Sequence, residues 1–408
     1  MGTDFALPIL LDGATGSNLI ERGLPAGVCV EEWILENPDV LIGLQKEFIE
    51  AGSNIIYAPT FSANRKKLEH YGLEEKTVEF NKRLVELSKK ASAGRALVAG
   101  DISPTGDFVE PFGSMTFSEM IDVYKEQAGA LKEAGVDLFV IETMMSLSEI
   151  RAAVIACRKF SLPIFVTITV DENGRTLTGA TALSCLISLQ EMGISAFGLN
   201  CSHGPDKMAE VIKEIAPFAK IPLIAKPNAG QPDECGRYGL SPEDMAKGME
   251  ELLKNGVTIA GGCCGSTPEH IAAIRKLLDG FDFSSVKIEK QDTGLMLANE
   301  TQVFYLSADG LEASEPVACG VDMADELLEL SDSNLDVITI EVLSADDAYQ
   351  FSQNSHMAKL PVMFKSDDPM ALKSALLTYH GRAMVDGKSS IPEDELRKIA
   401  AKYGAILY

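Results

Sequence analysis

The chain has 408 residues, 46% of them hydrophobic and 7% aromatic, enough for one large α/β barrel plus a smaller unit or for two ordinary domains. Its 60 acidic and 36 basic residues leave a net charge of −24, which excludes nucleic acid and anionic membrane surfaces as partners, because both need a basic footprint. No apolar stretch reaches the roughly 18–20 residues of a membrane span, and Met1–Ala6 carries no basic or apolar signal region, so a cytoplasmic protein is expected.

The first apolar run, Ile9–Leu11, leads into Asp12-Gly-Ala-Thr-Gly-Ser17, a strand, a glycine-rich turn and a helix start. The amides of Gly13, Ala14 and Thr15 could hold a carboxylate there, and Asp12 could pair with an ammonium group. The turn lacks Gly-Lys-Ser/Thr and is no P-loop. Further apolar runs follow at 54–58, 96–101, 138–142, 164–170, 196–201, 222–227 and 256–261, separated by helical patterns such as Ser118–Gly135, Ser148–Ser161 and Ser241–Gly256. Eight β–α repeats in about 280 residues have the rhythm of a (β/α)8 barrel. The runs are continuous rather than alternating, as parallel strands buried on both faces require. A doubly wound open sheet shares that alternation of elements and is the competing fold.

The rhythm breaks in the polar segment 281–294. The expected organisation is a barrel over 1–285, a linker over 286–300 and a small α/β domain over 301–408. In that last part five strand-like runs (303–306, 337–342, 361–365, 382–385 and 405–408) alternate with helical ones. Five strands make a small α/β domain, a degenerate half-barrel or a barrel cut short.

In a (β/α)8 barrel the loops at the C-terminal ends of the strands converge on one mouth. The polar residues closing the runs are Asp12, Thr60 with Asn64, Asp101 with Ser103, Glu142, Thr169, Asn200 with Cys201, Asn228, and Cys263 with Cys264. Cys201 closes the sixth strand and Cys263-Cys264 the eighth, so three thiols can point into one mouth. Three thiolates favour zinc, and three protein ligands with one open position are the catalytic arrangement. Zinc lowers the pKa of a bound thiol, and three further thiolates keep that sulfur electron-rich, which suits attack by a substrate thiol. Asp12 and Glu142 across the mouth complete a pocket for a zwitterionic amino acid. Three unrelated buried cysteines are the competing reading of the same spacing. The other cysteines, at 29, 157, 185, 235 and 319, show no disulfide spacing; Cys157 and Cys185 read as core residues, His203 as a solvated loop residue and His270 as a surface residue.

At these residues the chain resembles the homocysteine S-methyltransferase family, and most of all the homocysteine-binding domain of cobalamin-dependent methionine synthase. The stretches that carry the resemblance are Leu11–Ser17, Pro59–Asn64, Ala99–Gly106, Ile141–Thr143, Gly174–Gly179, Gly198–Cys201, Lys226–Gly230 and Gly261–Ile271, in family order over about two thirds of the chain. The resemblance implies a (β/α)8 barrel with zinc on Cys201, Cys263 and Cys264. It implies L-homocysteine with its sulfur on the metal and its amino group near Asp12 and Glu142. The amides of Gly13–Thr15 would take its carboxylate, and Thr60 and Asn200 would stand close by. The implied reaction is methyl transfer to the thiolate, giving L-methionine (an EC 2.1.1 activity).

The betaine-using branch cages its donor with aromatic residues, whereas the loop here reads Phe61-Ser-Ala-Asn64, without the tyrosine of that branch. A methylated corrinoid is therefore the expected donor. The chain has no D-x-H-x-x-G cobalt motif, so methylcobalamin would come on a separate protein. S-methylmethionine or a betaine-type donor, another thiol or selenol acceptor, and a non-catalytic homocysteine- or zinc-binding protein are the alternatives. A homodimer is a further expectation. The tail resembles, more weakly, a partial pterin-binding barrel through Phe364–Pro369 and Gly381–Gly387, with Asp386-Gly387 where that family has Asn-Ser.

Overall fold

The computed structural model describes residues 5–234, 236–307 and 310–408. Cys235 and the first four residues lie outside the described residues.

Eight parallel strands form the first sheet: β1 (Ile9–Leu10), β2 (Ile55–Tyr57), β3 (Leu97–Ile102), β4 (Leu138–Met144), β5 (Ile164–Ile168), β6 (Ala196–Asn200), β7 (Leu223–Lys226) and β8 (Val257–Ala260). They run in the order β1-β8-β7-β6-β5-β4-β3-β2, a (β/α)8 barrel, and each expected apolar run supplies one strand. The seam between β1 and β2 is closed largely by side chains. Asn54 Oδ1 accepts from the Leu10 amide at 2.8 Å, and Asp12 Oδ2 accepts from the Tyr57 amide at 2.7 Å.

Alternate strand residues point inward, so Leu11, Tyr57, Val140, Phe165, Ile224 and Ile259 pack the barrel interior. Phe5 closes its base edge-on to Phe165, at 5.8 Å. The opposite faces, with Ile56, Phe139, Val166 and Phe197, pack against the surrounding helices. Those helices carry local signals. The helix Phe117–Ala134 starts with a Thr116–Glu119 capping box and ends at Gly135 in the left-handed region, φ 81°. Each such cap contributes about 1 kcal/mol.

The segment 286–300 is strapped to the barrel: Lys290 Nζ donates to the carbonyls of Ala216 and Ala219. It contains β9 (Met296–Ala298), which pairs antiparallel with β10 (Val303–Tyr305). Thus Val303–Leu306, expected in the small domain's sheet, belongs to a hairpin instead. The five parallel strands of the second sheet are β11 (Val317–Ala318), β12 (Ile338–Glu341), β13 (Val362–Lys365), β14 (Met384–Val385) and β15 (Ile406–Leu407), in chain order. Helices pack on one face through Leu327, Phe351, Leu372 and Ile399. On the other face Met363 and Met384 pack with Leu297 and Phe304 of the hairpin. The hairpin therefore covers the face that a complete barrel would turn inward.

Arginines join the two parts. Buried Arg151 donates to the carbonyls of Leu376 (3.0 Å) and Gly381 (3.2 Å), at the C-terminal end of the helix Pro369–Thr378, where a cation is favoured. Arg382 returns to Thr293 and Met296. Arg151→Met keeps the bulk but leaves buried carbonyls unpaired, at about 1–3 kcal/mol each. Amide exchange should speed up in the second sheet before the barrel; uniform exchange across both would contradict this account.

Candidate metal centre

The strand β7 lies between β6 and β8 and acts as the spine of the site. Its exit residues pin both cysteine segments: the Cys201 amide donates to Lys226 O at 3.3 Å and the Cys263 amide to Pro227 O at 2.9 Å. The Ala229 amide donates in turn to Cys264 O, also at 2.9 Å. As a result the three Sγ atoms of Cys201, Cys263 and Cys264 lie within 4.8 Å of one another, with Cys201 and Cys264 at 3.4 Å. All three residues are half-buried.

The glycines around them have steric duties. A Cβ at Gly262 would stand 2.3 Å from Ser266 Oγ, the hydroxyl that donates to Cys263 O. Gly265 has φ +77°, and a Cβ there would strike Tyr238 at 2.2 Å.

The three thiols titrate together. Hydrogen bonds from Cys201 and Cys263 pull the Cys264 thiol well below its ordinary value. Cys263 rises because its hydrogen bonds go to Cys201 and Cys264 and because it is buried. Cys201 rises despite a hydrogen bond with Cys263, through its bond to Cys264 and its burial. Three sulfurs converging within 4.8 Å are a donor set that fits a soft cation such as zinc.

Two residues beside the sulfurs hold unusual backbone. Cys201 has φ +54° and the β-branched Thr143 has φ +61°, a costly conformation for such a residue. Asn200 compensates: its Nδ2 donates to Thr143 Oγ1 at 2.7 Å and its Oδ1 accepts from the Thr143 amide at 2.9 Å. Nδ2 also reaches Cys263 Sγ at 3.8 Å. Asn200 therefore ties the end of β4 to the thiol cluster.

Below the sulfurs lies a buried ionic group. Lys226 Nζ stands 3.1 Å from Glu142 Oε2, 3.9 Å from Asp12 Oδ1 and 3.6 Å from the centre of the Tyr57 ring. The Asp12 carboxyl is pushed up to about 6 by burial, against Lys226 and the Tyr57 amide, which lower it. Burial and Glu142 raise Asp101 well above the carboxylate range. Lys226 stays well above its own ordinary value although burial opposes this, because Glu142, Tyr57 and Asp12 favour its charge. Asp12 Oδ1, Asp101 Oδ1 and the Tyr57 hydroxyl have no hydrogen-bond partner among the described residues, although buried polar groups are normally satisfied.

The site residues expected from the sequence are thus distributed unevenly. Asp12, Glu142, Asn200 and the three cysteines converge. The Ala14 amide, by contrast, is already bonded to Ser266, to Oγ at 3.1 Å and to the carbonyl at 3.3 Å. Gly13 packs so closely that a Cβ would stand 2.6 Å from the Phe48 ring, and Thr15 opens the helix Thr15–Glu21. Thr60 is fully buried; its hydroxyl donates to Asp101 O at 2.8 Å and accepts from the Asp101 amide at 3.0 Å. It stitches β2's exit to β3. His203 is half-buried and pairs with Gln231, while His270 is buried rather than on the surface, its Nδ1 bonded at Thr267 and its Nε2 at Leu240 O. Asp101 was expected as a polar residue closing its run; Lys226 and Tyr57 were not expected as its partners, and the one signal for them was a lysine ending an apolar run.

Fold and site together define a (β/α)8 enzyme with a three-thiol centre at the C-terminal mouth of the barrel. The sequence model of the homocysteine S-methyltransferase family matches residues 9–278, and the chain belongs to that family, whose members are methyltransferases acting on homocysteine. Among solved structures it is similar to the homocysteine methyltransferase MmuM from Escherichia coli. The metallated form aligns with a TM-score of 0.57 and 22% identity, covering 66% of this chain and 95% of that one. The oxidized form aligns at 0.56 and 22%, with the same coverage. At this identity the likeness shows a shared fold.

Proposed function

We propose that the chain is a zinc-dependent methyltransferase that converts L-homocysteine to L-methionine in the cytoplasm. The observation that carries this reading is the juxtaposition of three convergent thiols with the buried Asp12–Lys226–Glu142 group in a member of this family. Cys201, Cys263 and Cys264 would hold the zinc, which supplies a Lewis acid able to keep a substrate thiol deprotonated near neutral pH. The three protein sulfurs keep the centre electron-rich, so the substrate sulfur stays nucleophilic. Asn200 orients Cys263 and holds Thr143 in its strained turn. Glu142 and Asp12 offer carboxylate oxygens to the substrate's ammonium group, and Lys226 prevents those carboxylates from repelling each other before substrate arrives. No lysine or arginine other than Lys226 is fully buried among the described residues of this mouth, which makes its ammonium a second candidate, beside the Gly13 and Thr15 amides, to face the substrate carboxylate.

The proposed donor is a methylated corrinoid bound outside residues 1–408, because these residues hold no cobalt-ligating motif and the loop after Thr60 lacks the tyrosine of an aromatic cage. In the tail, the residues akin to a pterin site accept from backbone amides of the loop after β14. Asp367 Oδ1 accepts from the Ser390 amide and Asp386 Oδ1 from the Lys388 amide. We therefore assign the tail no folate chemistry.

Metal content after purification under reducing conditions tests the proposal, with X-ray absorption before and after homocysteine is added. About one zinc per chain whose coordination gains a sulfur supports it; a chain that takes up no zinc on reconstitution refutes it. Turnover with methylcobalamin, S-methylmethionine and betaine then separates the donors.

A further inference from the structure

A second cavity, of about 370 Å³, lies between the barrel and the C-terminal sheet. It shares no lining residue with the thiol centre. The loop Phe108–Phe112, between β3 and the helix Phe117–Ala134, forms one wall, with Ser146 and Thr178 from the loops after β4 and β5. Ser352–Ala358 and Tyr379–His380 of the C-terminal part form the other, and Glu300, in the turn of the β9–β10 hairpin, lies between them.

The chemistry of this lining is one-sided. Phe108, Phe112, His356 and Tyr379 present aromatic surface, with Phe112 edge-on to His356 at 5.3 Å. Phe112 is 69% exposed and Phe108 40%, large apolar rings left facing the opening. Glu110 and Glu300 are its acidic groups, and no lysine or arginine lines it. Glu110 is already engaged by the Tyr349 hydroxyl at 3.2 Å. The Glu300 carboxyl, half-buried, is pushed up to about 7 by burial, opposed by a hydrogen bond with Thr178 and by no neighbouring cation. His380 adds no positive charge: burial, and then Arg151 behind it, hold its ring down to about 3. Its Nε2 is buried without a partner among the described residues.

A largely shielded carboxylate with no lysine or arginine beside it, walled by aromatic faces, is the complement of a cation. An anion would meet two carboxylates and no lysine or arginine in the lining. The volume falls within the range of small-molecule sites. We propose that this cavity binds a small alkylated ammonium ion, its charge against Glu300 and its alkyl groups on Phe108, Phe112 and Tyr379. Since both parts of the chain supply walls, occupancy would hold the C-terminal sheet against the barrel. The site is independent of the methyl-transfer reading.

Calorimetric titration of the full chain with choline and with its uncharged isostere 3,3-dimethylbutan-1-ol tests the proposal. Choline should bind saturably and at least about tenfold more tightly than the alcohol, a difference within the range of a desolvated cation–aromatic site plus a carboxylate. Glu300→Gln should cost choline about tenfold in affinity and leave the alcohol unaffected. Phe112→Ala, at an exposed position that does not endanger folding, should also weaken choline. Cys263→Ser should bind choline like the parent, so a failed zinc experiment leaves this test standing. Equal binding of the two probes, undiminished binding by Glu300→Gln, or no saturable choline binding up to about 10 mM would each overturn the proposal.

Discussion

A Cys263→Ser enzyme should purify with little zinc and transfer no methyl group above background. A serine hydroxyl stays protonated where a metal-bound thiol ionises, so the cluster loses one of its three thiolate donors. The loss in metal affinity should greatly exceed the ~10–100-fold that removal of an outer hydrogen bond costs. Asn200→Ala supplies that comparison within the same site, because Asn200 reaches Cys263 Sγ and also relieves the strained Thr143. Cys263→Ser should fold, since the Cys263 segment is held by its backbone amide on Pro227 and by Ser266. Zinc analysis and initial rates, with far-UV circular dichroism as the folding control, decide the matter. Full zinc occupancy and parental turnover in Cys263→Ser would remove the basis for a three-thiol centre.

Lys226→Met should be the most damaging change outside the cysteines. It leaves Asp12 and Glu142, with Asp101 behind them, facing one another without a cation in a buried site. Breaking a buried ion pair from one side costs about 3–5 kcal/mol, lessened here as the carboxyls take up protons. The pH dependence follows with a definite sign. Burial pushes the Asp12 carboxyl up to about 6, and Lys226 is the strongest influence holding it down. Removing Lys226 raises that value, so Asp12 stays protonated further toward neutral pH. A protonated Asp12 cannot pair with a substrate ammonium, so the acid limb of kcat/KM should move to higher pH as the melting temperature falls. An acid limb and melting temperature equal to the parent's would show that Lys226 plays no part in balancing the site.

Much of the architecture was legible because its signals are local. Parallel strands buried on both faces appear as continuous apolar runs, and helix ends carry caps such as Thr116–Glu119 and Gly135. The tail was less legible. The strand β11 has two residues and leaves no pattern, while Val303–Tyr305 has a strand's pattern but says nothing of its partner, which is β9. His270 looked like a surface residue because it follows a proline at a helix start; its burial comes from Leu240, 30 positions away.

The candidate site divides in the same way. The sequence by itself determined the barrel, the family resemblance and the convergence of Cys201, Cys263 and Cys264 on one mouth with Asp12 and Glu142, because strand ends in such a barrel must share one mouth. Only the tertiary structure decided which neighbours those residues have. Lys226 and Glu142, 84 positions apart, meet because β7 and β4 face each other across the barrel interior. Thr60 turned out to be a buried strut and the Ala14 amide to be engaged by Ser266, 252 positions on. Periodicity and capping are written in neighbouring residues, whereas burial, charge balance and hydrogen-bond partners arise from contacts that exist only once the barrel has closed.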